Sequence, residues 1–122
     1  MAGVLVAGDA AGLLEPWTRE GISFALRSGE LAGAAAAAAA RGDLDLALAG
    51  YQAALGRELI PEMAAGRRLL AAFSRHPGAF HAGLATGKGW RMFGRFCRGE
   101  MSWLALSRHP LAGIALSVLR WA

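Results

Sequence analysis

Asp9 has the surroundings that most invite chemistry. It stands in Gly8-Asp9-Ala10-Ala11-Gly12, just after the apolar run Val4-Leu5-Val6. An ionised carboxylate only accepts hydrogen bonds, so it holds groups that offer donors, and a diol suits it. Further on, Gly21-Ile22-Ser23 opens a helix-forming stretch. A helix start presents backbone N–H groups with no intrahelical acceptor and the positive end of the macrodipole. These three residues are therefore candidates to hold an anionic or carbonyl oxygen with no side chain intervening. Between the two features, Gly12 and its small neighbours allow backbone to lie close to a ligand, and Pro16 prevents the loop from continuing as helix. Asp9 also has a plainly structural reading as the N-cap of a short turn, where Asp is preferred on physical grounds.

Positioning these residues requires a strand, a loop and a helix. Val4 to Val6, short, uncharged and closed by Gly8, reads as a strand buried on both faces. Asp9 then sits at its carboxyl end, the edge where open α/β sheets bind ligands. The first helix is expected from about Glu20 to Ala40, with Arg41 and Gly42 as basic last turn and glycine C-cap. Ala25, Ser28 or Gly29, and Ala32 form a small-residue stripe on it, suited to close approach of a sheet or a cofactor, while Ala34 to Ala40 is helical scaffold. Asp43 caps the next helix, which carries Leu44, Leu48, Tyr51 and Leu55 on one face and is interrupted at Pro61. A continuation with Met63, Leu69, Leu70 and Phe73 stops at Ser74-Arg75-His76-Pro77-Gly78. Short helices are expected at about Ala79–Thr86, Gly89–Arg98, Met101–Ser107 and Pro110–Trp121, and Arg108-His109-Pro110 repeats the turn chemistry of Arg75-His76-Pro77.

Taken together, Gly8-Asp9-Ala10-Ala11-Gly12, Pro16, Glu20-Gly21-Ile22 and Ala25-Leu26-Arg27-Ser28-Gly29 resemble the second FAD motif of the geranylgeranyl reductase family, part of the larger flavoprotein hydroxylase group. The resemblance is close over residues 8–29, and beyond them a long helix with Tyr51 and Gly56 is similar only in character. It implies that Asp9 binds the ribityl chain of FAD and that Gly21 and Ile22 lie against the pyrimidine end of the flavin ring. It also implies a parent enzyme that saturates isoprenoid double bonds with reduced FAD. The fold implied is mainly α with one N-terminal β-strand, a fragment of a Rossmann-like α/β FAD-binding fold. Residues 1–42 would end the FAD-binding domain, and 43–122 would form a helical carboxyl-terminal region.

Other parts of a dinucleotide site are missing from the sequence. The pyrophosphate needs a G-x-G-x-x-G turn after a strand, followed by an acidic residue for the adenosine ribose. Gly87-Lys88-Gly89 supplies two glycines, but Met92 stands where the third belongs and no apolar strand precedes it. The cofactor site is thus expected to be incomplete, with a complementary N-terminal half as partner and the chain inactive alone. No paired carboxylates, nucleophile elbow or Cys–His pair on one element suggests catalysis by side chains, so the hard chemistry would belong to the flavin. Arg19 and Arg27 lie near the motif and could reach a cofactor phosphate or substrate diphosphate, but arginines at such places are usually solvated. Glu15 and Glu20 are ambiguous because loop acids commonly face solvent, and Trp17 could line a substrate pocket or serve equally well as a buried aromatic.

With one cysteine, Cys97, the chain has no internal disulfide, and its three histidines lack metal-ligand spacing, which fits a reducing cytoplasm. No signal-peptide pattern and no bilayer-length apolar run occur. The 55% hydrophobic content exceeds the usual share of about 45–50%, much of it alanine, so a helical chain is indicated. Net charge is +4, divided as −4 over residues 1–66 and +8 over 67–122. That asymmetry suggests an anionic partner for the second half, with nucleic acid supported by charge alone. From Lys88 to Met101, read as one helix, Lys88, Arg91, Arg95 and Arg98 fall on one side and Trp90, Phe93, Cys97 and Met101 on another. With Trp103 and Trp121 nearby, this pattern suits a helix lying on an anionic membrane, and it equally suits an apolar face packed into the core. The alternative to the flavoenzyme reading is therefore a non-catalytic basic helical module for membrane surfaces or other partners.

Overall fold

A computed structural model describes residues 3–108; the expected helix Pro110–Trp121, Trp121 itself and most of the Arg108-His109-Pro110 repeat lie outside the described residues. The chain is mainly helical. A single 3-10 turn, Gly8–Ala11, precedes α1 (Ile22–Ala39), α2 (Leu44–Glu58), α3 (Ile60–Arg75), α4 (Pro77–Leu84), α5 (Gly87–Cys97) and α6 (Trp103–Arg108). It divides into two compact units, Met1–Met63 and Ala64–Ala122.

The helix boundaries follow local chemistry. Asp43 Oδ1 accepts from the Leu46 backbone N–H at 3.0 Å and caps α2, after Gly42 has turned the chain with φ 112°. Pro61 lies in the first turn of α3, where its missing N–H has no intrahelical partner to lose, so it divides α2 from α3 rather than kinking one long helix. Pro77 opens α4 in the same way. Thr86 caps α5, its hydroxyl accepting from the Gly89 N–H at 3.0 Å and donating to the Gly83 carbonyl at 2.7 Å.

Three expectations fail. The first helix ends at Ala39 with Ala40 as its C-cap and no basic residue in its last turn, so Arg41 and Gly42 lie beyond it in the turn to α2. Among the described residues there is no strand: Val4 to Ala7 run without regular structure, and Val4 and Val6 are 57% and 44% exposed rather than buried on both faces. A strand exists only against a partner, and no other described segment is extended for pairing, so the apolar run keeps its sequence character without its ladder. The helix read from Lys88 to Met101 is also shorter. It ends at Cys97, and Gly99 at φ 72° in the left-handed region turns the chain away before Met101.

In the first unit α2 packs along α1, so this unit runs past Gly42 to Met63. Leu13, Leu59 and Met63 form its buried core, with Ala11, Phe24 and Leu55 packed against them. Ala35, Ala47, Tyr51 and Ala54 are buried as well. The Tyr51 hydroxyl donates to the Val6 carbonyl at 2.7 Å, tying the segment before Gly8 to α2. Arg27 joins α1 to α2 through Glu58, with Nε and Nη2 at 2.9 and 2.7 Å from one carboxylate oxygen, and also pairs with Glu30. Its guanidinium is held above its ordinary pKa, first by the hydrogen bond it donates to Glu58 and then by that it donates to Glu30. In the second unit, Ala65, Leu69 and Trp103 are buried, Phe73 meets Phe80 edge to face at 5.5 Å, and α4 packs on α5.

Burial raises the Tyr51 pKa, so the fold favours the neutral phenol. The stability this contributes is complete below the unfolded value of about 10 and is lost as pH rises through the higher folded value. Tyr51→Phe should cost about 0.5–1.5 kcal/mol at neutral pH by removing the bond to Val6. In urea titrations, the difference between wild type and variant should shrink above about pH 10.

Candidate functional site

The site is built on a close contact between the 3-10 turn and α1. Gly8 has φ 59°, a conformation that favours glycine, and a Cβ added there would lie 3.1 Å from Ala25 Cβ. This approach brings the Gly8 N–H to 2.9 Å from Ser28 Oγ. Ser28 is fully buried, and its hydroxyl donates back to its own helix at the Phe24 carbonyl, 2.7 Å away. Gly12, at φ 71°, ends the turn with its N–H on the Asp9 carbonyl at 2.9 Å. The small-residue stripe of α1 therefore receives the Gly-Asp turn itself, and no sheet is involved.

Within the turn, Asp9 is not the N-cap. That position belongs to Ala7, which is extended and caps with no side chain. Asp9 instead directs an exposed carboxylate toward the start of α1, where a Cβ added to Gly21 would lie 2.6 Å from Asp9 Oδ1. Gly21 has φ −120°, which any residue adopts, so glycine is needed there for space and not for conformation. Asp9 accepts no side-chain hydrogen bond among the described residues. The N–H groups of Gly21 and Ile22 open the helix at the same place, and the Ile22 side chain is 72% exposed.

Glu20 changes what this helix start can bind. Its carboxylate accepts from the Ser23 N–H at 3.0 Å and from the Ser23 hydroxyl at 3.1 Å. Ser23 is thus already satisfied, and of the three expected N–H donors those of Gly21 and Ile22 make no hydrogen bond among the described residues. With the carboxylates of Asp9 and Glu20 both at the helix start, an anion is disfavoured by repulsion. A neutral ligand that donates through hydroxyls and accepts through a carbonyl is favoured.

The loop joining turn to helix depends on Glu15, which the sequence left as an ordinary surface acid. It is only 6% exposed. Its Oε1 accepts from the Trp17 N–H at 2.9 Å, and its Oε2 accepts from both the N–H and the hydroxyl of Thr18. Main-chain bonds from the Glu15 N–H to the Glu20 carbonyl (3.0 Å) and from the Arg19 N–H to the Glu15 carbonyl (3.1 Å) close the loop. Pro16 stands in the turn of this loop, directly after Glu15. The legible sign was a carboxylate directly before proline with donors following, an arrangement that satisfies turn N–H groups. Arg19 takes φ 61°, the strained corner of the loop, and Arg27 is engaged with Glu58 and Glu30.

The structure thus brings Gly8, Asp9, Gly21 and Ile22 together and adds Ser28, Glu15 and Glu20 as the residues that hold them. Among the described residues no cluster of His, Cys, Asp or Glu has the arrangement of a metal site. Comparison with protein-family models, with curated proteins and with solved structures finds no match for this chain.

Glu15→Ala should leave the Trp17 and Thr18 N–H groups without their acceptor in a part-buried loop, at a cost of about 1–3 kcal/mol. Thermal unfolding should show this as a drop of about 4–8 °C per kcal/mol for a compact unit of this size.

Proposed function

We propose that the first unit is the flavin-facing part of an FAD-dependent oxidoreductase of the geranylgeranyl reductase kind, acting on an isoprenoid or other apolar substrate. The observation that carries this reading is the exposed Asp9 carboxylate set against Gly21 at the opening of α1. A carboxylate without a protein donor, beside a helix start whose first two N–H groups make no hydrogen bond among the described residues, matches a ligand that has hydroxyls next to a carbonyl. The ribityl chain and pyrimidine end of a flavin have that chemistry. In this reading Asp9 orients the cofactor by accepting from ribityl hydroxyls, and Gly21 and Ile22 donate to a pyrimidine carbonyl. Glycine at position 21 keeps the helix start open to the ring. The flavin, when bound, supplies hydride transfer to the substrate double bond.

The residues present fit this end of the cofactor and not its pyrophosphate, which two neighbouring carboxylates would repel. A complementary N-terminal half would supply the phosphate-binding turn and the rest of the sheet. The exposure of Val4 and Val6 supports such a partner, since an apolar run in no ladder of its own, held by the Tyr51 hydroxyl at the Val6 carbonyl, is suited to joining another sheet as a strand. With no bilayer-spanning helix among the described residues, the apolar substrate would be met in solution or at a membrane surface.

Two measurements test the reading. Titration of FAD into the purified chain alone, followed by flavin fluorescence or calorimetry, should give no submicromolar binding; tight binding would require a complete site and would overturn the half-site reading. In the enzyme completed by its other half, Asp9→Ala should weaken FAD binding by about 1–3 kcal/mol, the cost of losing charge-assisted hydrogen bonds. Unchanged flavin content with a lowered unfolding temperature would instead make Asp9 purely structural.

Gly21→Ala probes the same place through space rather than charge. The added methyl must displace Asp9 Oδ1 and lies 3.2 Å from Leu14 Cδ1, while φ −120° suits alanine, so the expected outcome is a nearly unchanged unfolding temperature with weakened FAD binding.

A further inference from the structure

The faces of α5 are assigned by burial to three different tasks. With about 100° between successive residues, Gly89, Met92 and Phe96 share one arc, Trp90, Phe93 and Cys97 a second, and Lys88, Arg91, Arg95 and Arg98 a third. The first arc is the packing face. Gly89, Met92 and Phe96 are half-buried, and a Cβ on Gly89 would overlap the Gly83 carbonyl at 2.0 Å, so α4 and α5 meet there in close contact. Phe96 lies with its ring centroid 4.1 Å from that of buried Trp103. Trp103 therefore belongs to the packing of this unit and not to an interfacial set.

With the packing side accounted for, the second arc is apolar and open. Trp90 is 65% exposed and Phe93 41%, their rings in contact at 5.9 Å, and Cys97 is exposed beside them. The third arc adjoins it across Gly94, and Trp90, Arg91, Gly94, Arg95 and Arg98 together line a shallow groove. Glu100 pairs with Arg98 at 2.6 Å and with Arg95 at 3.4 Å. Lys88 and Arg91 form no ion pair among the described residues.

We propose that α5 docks this protein flat on an anionic lipid bilayer, with Trp90 and Phe93 entering the headgroup boundary and Lys88, Arg91, Arg95 and Arg98 facing the lipid phosphates and carboxylates. Charge selects the occupant. Residues 67–122 carry +8, which disfavours a second copy of the same face. A contiguous Trp–Phe surface is of no use to a purely electrostatic polyanion, yet it fits the interface, where aromatic rings settle. The assignment uses only the second unit and stands independently of the flavin reading.

The test is co-sedimentation of the full chain with vesicles of phosphatidylcholine containing about 30 mol% phosphatidylserine, against pure phosphatidylcholine, with salt raised from about 50 to about 500 mM. Binding should require the anionic lipid and fall with salt. K88E/R91E should weaken it by well over tenfold, since each basic group near such a surface contributes roughly a fivefold factor. W90S/F93S should weaken it comparably while circular dichroism shows the helix content retained. Trp90→Phe should keep binding but lose part of the blue shift of tryptophan emission on vesicles. Protein that remains in the supernatant with anionic vesicles at low salt would overturn the proposal. So would binding insensitive to W90S/F93S, or duplex DNA that competes fully and binds the W90S/F93S variant as well as wild type, which would make the basic arc a nucleic-acid surface.

Discussion

The hydrogen bond from the Gly8 N–H to buried Ser28 Oγ is the constraint on which the first unit depends. It forms only because three consecutive steric conditions hold. Gly8 adopts a positive φ, Ala25 presents no more than a methyl, and Ser28 can return its own proton to the helix at Phe24. A larger residue at any of the three would lift the turn from α1 and expose a buried donor, at the cost of an unsatisfied polar group. Once the turn is seated, the chain has little freedom. Leu13 drops into the core against Leu59 and Met63, Glu15 gathers the following loop, and the Asp9 carboxylate ends beside Gly21.

The arrangement separates support from chemistry. Buried groups, Ser28 and Glu15, satisfy backbone donors, while Asp9 is exposed and the Gly21 and Ile22 N–H groups make no hydrogen bond among the described residues. Glu20 caps Ser23, which takes one N–H from the helix start and places a second carboxylate there. The second unit shows a parallel economy on α5, where one arc packs, one stays apolar and open, and one carries positive charge.

The residues of Asp9, Gly12, Pro16 and Gly21 were legible because each has a local physical meaning: a carboxylate, a left-handed turn, a helix stop, an uncrowded helix start. The Asp43 cap was legible for the same reason, whereas Pro77, read as part of a helix stop, is also the first residue of the next helix. The strand was not, because pairing is a property of two segments and the run Val4 to Val6 describes only one. Glu15 was misjudged on composition, since acids in loops are usually solvated, while here Pro16 removes a donor and directs the next two N–H groups onto one carboxylate.

By itself the sequence determined the helical character, the Asp43 cap and the charge division. These rest on interactions within a few positions along the chain. Only the tertiary structure decided that the small-residue stripe receives a turn instead of a sheet, that Asp9 is open while Ser23 is capped, and that Tyr51 reaches Val6. It also decided that Trp103 is packed while Trp90 is exposed. The reason is that burial and hydrogen-bond satisfaction are settled by partners distant in sequence. Residues alike in type and local pattern, as these two tryptophans are, differ only in what the folded chain brings against them.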